Sequence, residues 1–248
     1  MLQIKNLTVK VDSKIIIEDL TLFIKKGEIH VLLGPNASGK SSLAQTIMGN
    51  PRYQILQGKI WFKDQDITRL SMEKRAQLGL ALSFQEPPPI KGVSLNQILE
   101  LIRQKRGHKI KKTKQTEIEL LEQLPASKKL LHRNLNERYS GGEKKIAELL
   151  QLSALKPKLI IFDELDSGLD IKNLSRILKV IKAQFLSKGV SVLFITHHGQ
   201  IVDGMQPDWT HVMLNKKIIC NSQDYQKVIT TIKEHGYQKC RHCQFVDR

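Results

Sequence analysis

The stretch GPNASGKSS, Gly34 to Ser42, follows the apolar run HVLL and precedes a helical stretch. Gly34, Gly39, Lys40 and Ser41 fit the spacing G-x-x-x-x-G-K-[ST] of a phosphate-binding loop. Glycine lets the backbone wrap close to an anion, so successive N–H groups point inward. The helix beginning near Lys40 turns its positive dipole end to the same phosphates. Lys40 adds a full charge between the β- and γ-phosphates, and the Ser41 hydroxyl is a Mg²⁺ ligand. The expected cradle is Gly34, Pro35, Asn36, Ala37, Ser38, Gly39, Lys40, Ser41 and Ser42.

The second informative stretch is LIIFDELDSGLD, Leu159 to Asp170. A buried strand that ends on carboxylates is the partner such a loop requires. Asp163 is expected on the Mg²⁺ side. Glu164, one residue further, would stand nearer the γ-phosphate and polarise the attacking water as a general base.

Around these stretches the pattern is α/β. LQIKNLTVKV and KIIIEDLTLFI are rich in β-branched residues, and GEIHVLL, KIWFKDQDI, KLIIF, GVSVLFIT and HVMLNKKII also read as strands. From about Ser94 to Ala154 the apolar spacing is helical: Leu95, Ile98, Leu99 and Ile102 share one face, and Ile118, Leu121 and Leu124 another. The order sheet, helices, sheet predicts a helical subdomain inserted in an α/β core. The expected division is 1–85 with 155–235 as the core and β subdomain, 86–154 as the helical subdomain and 236–248 as a tail.

The chain has 248 residues and 40% hydrophobic content, enough for a packed core. No apolar run is long enough to span a membrane, and the N-terminus alternates like a strand, so a cytoplasmic protein is expected. Three cysteines do not suggest a disulfide framework. Lys and Arg number 40 against 24 Asp and Glu, a net charge of +16. Such a field favours polyanions and acidic faces. The densest basic run, Arg103 to Lys114, carries no interleaved aromatics, so no specific nucleic acid is expected.

YSGGEKKIAELLQLSAL, from Tyr139, carries a second phosphate device. Ser140 and Glu143 have capping-box spacing, and Pro157 marks the helix end. Gly141 and Gly142 disfavour a first helical turn, but they leave its N–H groups bare for a phosphate.

A phosphate loop, then SGGE, then IIFDE, in this order, resembles an ATP-binding cassette (ABC) ATPase over nearly the whole chain. The resemblance implies a RecA-like core with an antiparallel β subdomain and an inserted helical subdomain. It implies ATP and Mg²⁺ as cofactors, and a head-to-tail pairing with a second ABC subunit. Ser140 and Gly142 would then contact ATP held by the partner. Gln85 in SFQEPPP matches the loop that senses Mg²⁺ and the attacking water, His197 in FITHH matches the histidine that contacts the γ-phosphate, and SGLD, Ser167 to Asp170, matches the D-loop.

Within the family, DELDSGLD, SGGEKKIAELLQ, FQEPPPIKGVS and the near-terminal Gly236-Tyr237 are similar to the SufC branch, the ATPases of SUF iron–sulfur cluster assembly. Transporter cassettes carry proline where this chain has Leu165, which keeps a backbone N–H that proline lacks; Asp166 would place another acid beside the dimer seam. The SufC resemblance implies a SufB-type scaffold as partner, alone or with a SufD-type subunit, docking around Gln85 to Ser94. The alternative is the ATP-binding subunit of a membrane transporter, with the same chemistry and a different partner.

Three departures from the family pattern carry expectations. KVDSKIII lacks the aromatic that stacks on adenine, which predicts weak ATP affinity or loose base selectivity. Ala37 and Ser42 replace a common glycine and threonine, with little effect expected. In the tail, Cys240 and Cys243 form a C-x-x-C near His235 and His242, either a metal half-site or an exposed pair of thiols without a role.

Overall fold

A computed structural model describes residues 1–83, 87–105, 128–167, 169–197 and 200–242. Among these, the strands build two sheets. The first is antiparallel. Strands β1 (Leu2–Val11) and β2 (Lys14–Ile24) alternate, burying Leu2, Ile4, Leu7 and Val9 against Ile17, Leu20, Leu22 and Ile24. With β4 (Gln54–Phe62) and the short β5 (Gln65–Asp66) they run in the order β2-β1-β4-β5.

The second sheet has the order β10-β9-β3-β8-β7-β6. Here β3 (Ile29–Leu33), β6 (Leu80–Ser83), β7 (Leu159–Asp163), β8 (Ser191–Thr196) and β9 (Trp209–Leu214) are parallel. Parallel strands covered on both faces read as continuous apolar runs. Val31, Phe162 and Phe194 face one core cluster, with the helices; Leu32, Ile161 and Leu193 face the other, with the antiparallel sheet.

HVMLNKKII, read as one strand, is a hairpin of β9 and β10 (Lys217–Ser222). Asn215 and Lys216 both take positive φ, 49° and 71°, the geometry of a two-residue turn whose twist suits the flanking strands.

Helix α1 (Lys40–Met48) follows the phosphate loop and ends at Gly49. Helix α2 (Met72–Leu78) was not legible as a helix in the sequence; Ser71 caps it, and its Arg75 is only 2% exposed. The Arg75 guanidinium donates to Thr46 O and Ile47 O at 2.8 Å, Thr68 O at 2.9 Å and Leu70 O at 3.0 Å. It caps the C-terminal carbonyls of α1, where a cation is favourable. Burial pushes it down to about 10, still cationic at neutral pH.

The expected helical region contains α3 (Leu95–Lys105) and α4 (Gly141–Leu155), joined in space by a Ser94–Asn134 bridge. Leu95 and Leu99 are buried, with Ile98 and Ile102 packed beside them, as their spacing predicts. Ile118, Leu121 and Leu124 lie outside the described residues, as does most of the basic run. The chain continues through α5 (Ile171–Gln184), α6 (Gln200–Met205) and α7 (Tyr225–His235) to a 3₁₀ turn, Tyr237–His242. Cys240 in that turn is 1% exposed, so it is a core residue rather than an exposed thiol. Cys243 lies outside the described residues. Among those described, no group of three or more His, Cys, Asp and Glu side chains could hold a metal.

Candidate nucleotide site

The ladders fix where the chemistry sits. Leu33 pairs with Thr196, and Asp163 with Ile195, so β3, β7 and β8 all end at one edge of the sheet. In an open parallel sheet, ligands bind beyond the carboxyl ends of the strands.

The phosphate loop leaves β3 at Gly34. A Cβ there would strike the Met213 carbonyl oxygen, so β9 admits only glycine. Gly39 (φ 111°) precedes the first helical residue, Lys40, and a Cβ on it would lie 2.8 Å from Ile16 O. Strand β2 thus passes directly over the loop. Ala37 sits at φ 61°, a left-handed conformation that costs a non-glycine residue roughly 1 kcal/mol. Its replacement of glycine is therefore a strained one, contrary to the expectation that it has little effect.

Lys40 is buried, and its Nζ donates to Gly34 O at 2.8 Å and Pro35 O at 3.0 Å. Burial lowers its pKa, against the upward pull of Glu164 and Asp163. Ser41 Oγ donates to Asp163 Oδ1 at 3.2 Å, joining residues 122 apart in sequence. Burial raises the pKa of Asp163, opposed by the Ser41 hydrogen bond. A hydroxyl and a carboxylate side by side are the hard oxygen donors that Mg²⁺ prefers, so the pair fits that ion. Ser38 Oγ is buried with no protein partner, as an atom reserved for a phosphate oxygen would be.

Beyond Asp163 the chain turns sharply. Glu164 takes φ 51°, and its N–H donates to Ile195 O at 2.9 Å. Its Oε1 lies 3.3 Å from His197 Nδ1. The structure therefore brings two of the three sequence-predicted catalytic residues, Glu164 and His197, into contact. Leu165 is 1% exposed within the core cluster, so the structure gives its role to the side chain. Asp166 is also buried: Thr196 Oγ1 donates to its Oδ2 at 2.9 Å. That acid turns inward to β8 instead of facing a seam, because Leu165 anchors the turn. Gln85 lies outside the described residues.

Helix α4 opens with the expected capping box. Ser140 Oγ accepts from Glu143 N at 3.2 Å, and Glu143 Oε2 accepts from Ser140 N at 2.8 Å. Arg133 pairs with Glu143 at 2.6 Å. Ser140 and Gly141 are exposed, and a Cβ on Gly142 would meet open space. The helix start is thus available to a second molecule. One turn on, Lys145 stands 3.6 Å from Glu148, which also accepts from Ser83 Oγ at 2.8 Å, so α4 is tied to the end of β6 through buried polar groups.

Sequence reasoning missed a buried chain behind the loop. His30 Nε2 lies 2.9 Å from Glu28, His30 Nδ1 2.8 Å from His211 Nε2, and His211 Nδ1 2.6 Å from Asn221 Oδ1. A signal was present: HVLL and HVML both start an apolar strand with histidine, and the two strands are parallel neighbours. Tyr237, which the sequence offered only as a mark of the SufC branch, places its hydroxyl 3.5 Å from the His197 carbonyl oxygen.

Comparison with known proteins agrees with this geometry. The family model described as ABC transporter matches residues 17–167. A probable ATP-dependent transporter, ycf16, of Trieres chinensis is 42% identical over 226 residues, covering 88% of this chain and 90% of its own. The probable ATP-dependent transporter SufC of Escherichia coli (strain K12) is 37% identical over 247 residues, covering 96% and 97%. Among solved structures, an ATP-binding cassette of an ABC transporter superposes with a TM-score of 0.79 at 23% identity, covering 97% of this chain and 98% of that one.

Proposed function

Because the chain belongs to the ABC family of ATP-binding cassettes and is an ATPase by that membership, we propose that it is the SufC-type ATPase of an iron–sulfur cluster assembly complex. The relatives named SufC and ycf16 support this, as do DELDSGLD and SGGEKK in this chain. The observation that carries the catalytic part is the meeting of Ser41 with Asp163, and of Glu164 with His197, at adjoining strand ends.

On this reading Gly34 to Ser42 bind the triphosphate through backbone N–H groups and the Lys40 ammonium. Ser41 and Asp163, with Gln85, would hold Mg²⁺, which when bound would supply neutralisation of the phosphate charge. Glu164 takes a proton from the attacking water, and His197 orients Glu164 while facing the γ-phosphate. Ser140, Gly141 and Gly142 present their N–H groups to ATP on a second cassette, so two chains close head to tail.

Work is delivered through the boundary between a core of residues 1–85 and 155–235 and a helical unit of 86–154. An apolar groove of about 210 Å³, lined by Met48, Met72, Ala76, Leu82, Leu152 and Leu155, opens on that boundary. Within the predicted docking segment, Ile90 is 39% exposed, while its N–H is pinned to Leu135 O at 2.8 Å. A stiff, apolar ledge suits a helix of a SufB-type scaffold, alone or with a SufD-type subunit. Among the described residues no helix is long and apolar enough to cross a membrane, and the proposed complex works in the cytoplasm.

Affinity capture from native extract, with Mg-ATP present, tests the assignment. A SufB-type scaffold should be retained, and Ile90→Asp should release it. Retention of an integral membrane protein instead would make the chain a transporter subunit.

A further inference from the structure

The Gly236-Tyr237 pair is the sequence feature that the ATP chemistry leaves unused. Gly236, at φ 71°, ends α7 and lets the chain double back. The following 3₁₀ turn is seated by Cys240, and the Tyr237 ring packs against the main core cluster. Its hydroxyl then stands 3.5 Å from the carbonyl oxygen of His197, a residue 40 positions earlier. Burial raises the phenol pKa, so at neutral pH Tyr237 is a donor and the carbonyl accepts.

His197 is the first residue beyond β8, where the sheet ladder no longer holds the main chain. On its inner side the backbone is steadied through Thr196 and Asp166. Tyr237 approaches from the C-terminal turn. The imidazole fixed between these supports is the one that faces Glu164 at 3.3 Å.

We propose that Tyr237 is a positioning residue for ATP hydrolysis, holding the His197 main chain so that the imidazole keeps its place beside Glu164. The contact is long, as hydrogen bonds of a resting site often are before closure shortens them. The C-terminal turn is thereby part of the hydrolytic apparatus, although it touches no nucleotide. This rests on the reading that His197 and Glu164 act in hydrolysis.

Steady-state Mg-ATP hydrolysis by the full chain tests the proposal, with Tyr237→Phe, His197→Ala, their combination and Glu164→Gln compared to the unaltered protein. Tyr237→Phe should lower kcat about fivefold, the worth of one hydrogen bond, with KM for ATP unchanged and the melting temperature lowered by no more than a few degrees, so that the protein stays fully folded in the assay. In the His197→Ala background it should slow turnover no further, because the tether then holds nothing of use. Tyr237→Leu, which also removes the ring, should lower the melting temperature and so separate packing from tethering. Unchanged kcat in Tyr237→Phe, alongside impaired His197→Ala and Glu164→Gln, overturns the proposal alone. So does an equal slowing with and without His197, or a drop in melting temperature that accounts for the lost rate. Undiminished turnover in both His197→Ala and Glu164→Gln overturns the underlying catalytic reading instead.

Discussion

Acid should unfold this protein through His211, and the size of the effect can be worked out. In the unfolded chain an imidazole titrates near 6.5; in the fold His211 is held down to about 3, by burial first and by the neighbouring His30 second. Burial lowers the pKa of His30 as well, while Glu28 pulls it upward. The charged groups facing the pair are Glu28 and Asp208, and Asn221 is neutral. Between pH 6.5 and 3 the unfolded chain binds a proton at His211 that the fold refuses. Stability is therefore intact above about pH 7 and is lost as pH falls through the unfolded pKa. For this single group the linkage gives about 2 kcal/mol lost at pH 5, rising towards about 5 kcal/mol below pH 3.

Urea titrations at pH 7.5 and 5.0 measure the effect, with His211→Gln as the control that keeps an amide donor near the His30 side. The variant should start less stable at pH 7.5, because the His30 contact is imperfectly replaced. Between the two pH values it should then lose about 2 kcal/mol less than the unaltered chain, with a similar dependence on urea. Equal losses in the two proteins would refute the reasoning, since the proton taken up on unfolding would belong elsewhere.

Other outcomes follow from the site. Glu164→Gln should reduce turnover about 100-fold or more while ATP still binds, as separate single-turnover and binding measurements would show. Ser41→Ala should raise the Mg²⁺ concentration needed for half-maximal hydrolysis about tenfold, as one oxygen donor is lost; an unchanged Mg²⁺ titration counts against the assigned pair. Leu165→Ala should lower the unfolding free energy by about 2–4 kcal/mol, read from the urea midpoint, because it opens a cavity under the Asp163–Asp166 turn. With no aromatic in the stretch Lys10 to Ile17 before the loop, GTP should compete with ATP within about tenfold, since base stacking is forgone. Tight binding of adenine nucleotides alone would contradict that.

What could be read from the sequence was local. The loop from Gly34 to Ser42, the capping box at Ser140 and the apolar strand before Asp163 each depend on neighbours within a few positions, and the structure has them where their spacing puts them. The pairing of His30 with His211 depends on β3 lying beside β9, across 181 positions, so the histidines of HVLL and HVML carry a signal only once those strands are known to be neighbours. Arg75 looks like a surface residue of a short polar helix until α1 ends against it. Asp166 reads as another exposed acid because burial depends on Leu165 and Thr196, one from the same turn and one from the next strand. The Asn215-Lys216 turn was hidden because neither residue is glycine, although asparagine tolerates positive φ.

The sheet order has an evolutionary consequence. The chain leaves through β6 and returns through β7, which lie side by side with Leu80 opposite Leu159. Whatever is spliced between Ser83 and Leu159 begins and ends at the same seam. A lineage could lengthen, shorten or exchange that excursion, and with it the cargo served, without displacing Asp163 from Lys40. The engine and its coupling can therefore diversify at different rates within one gene.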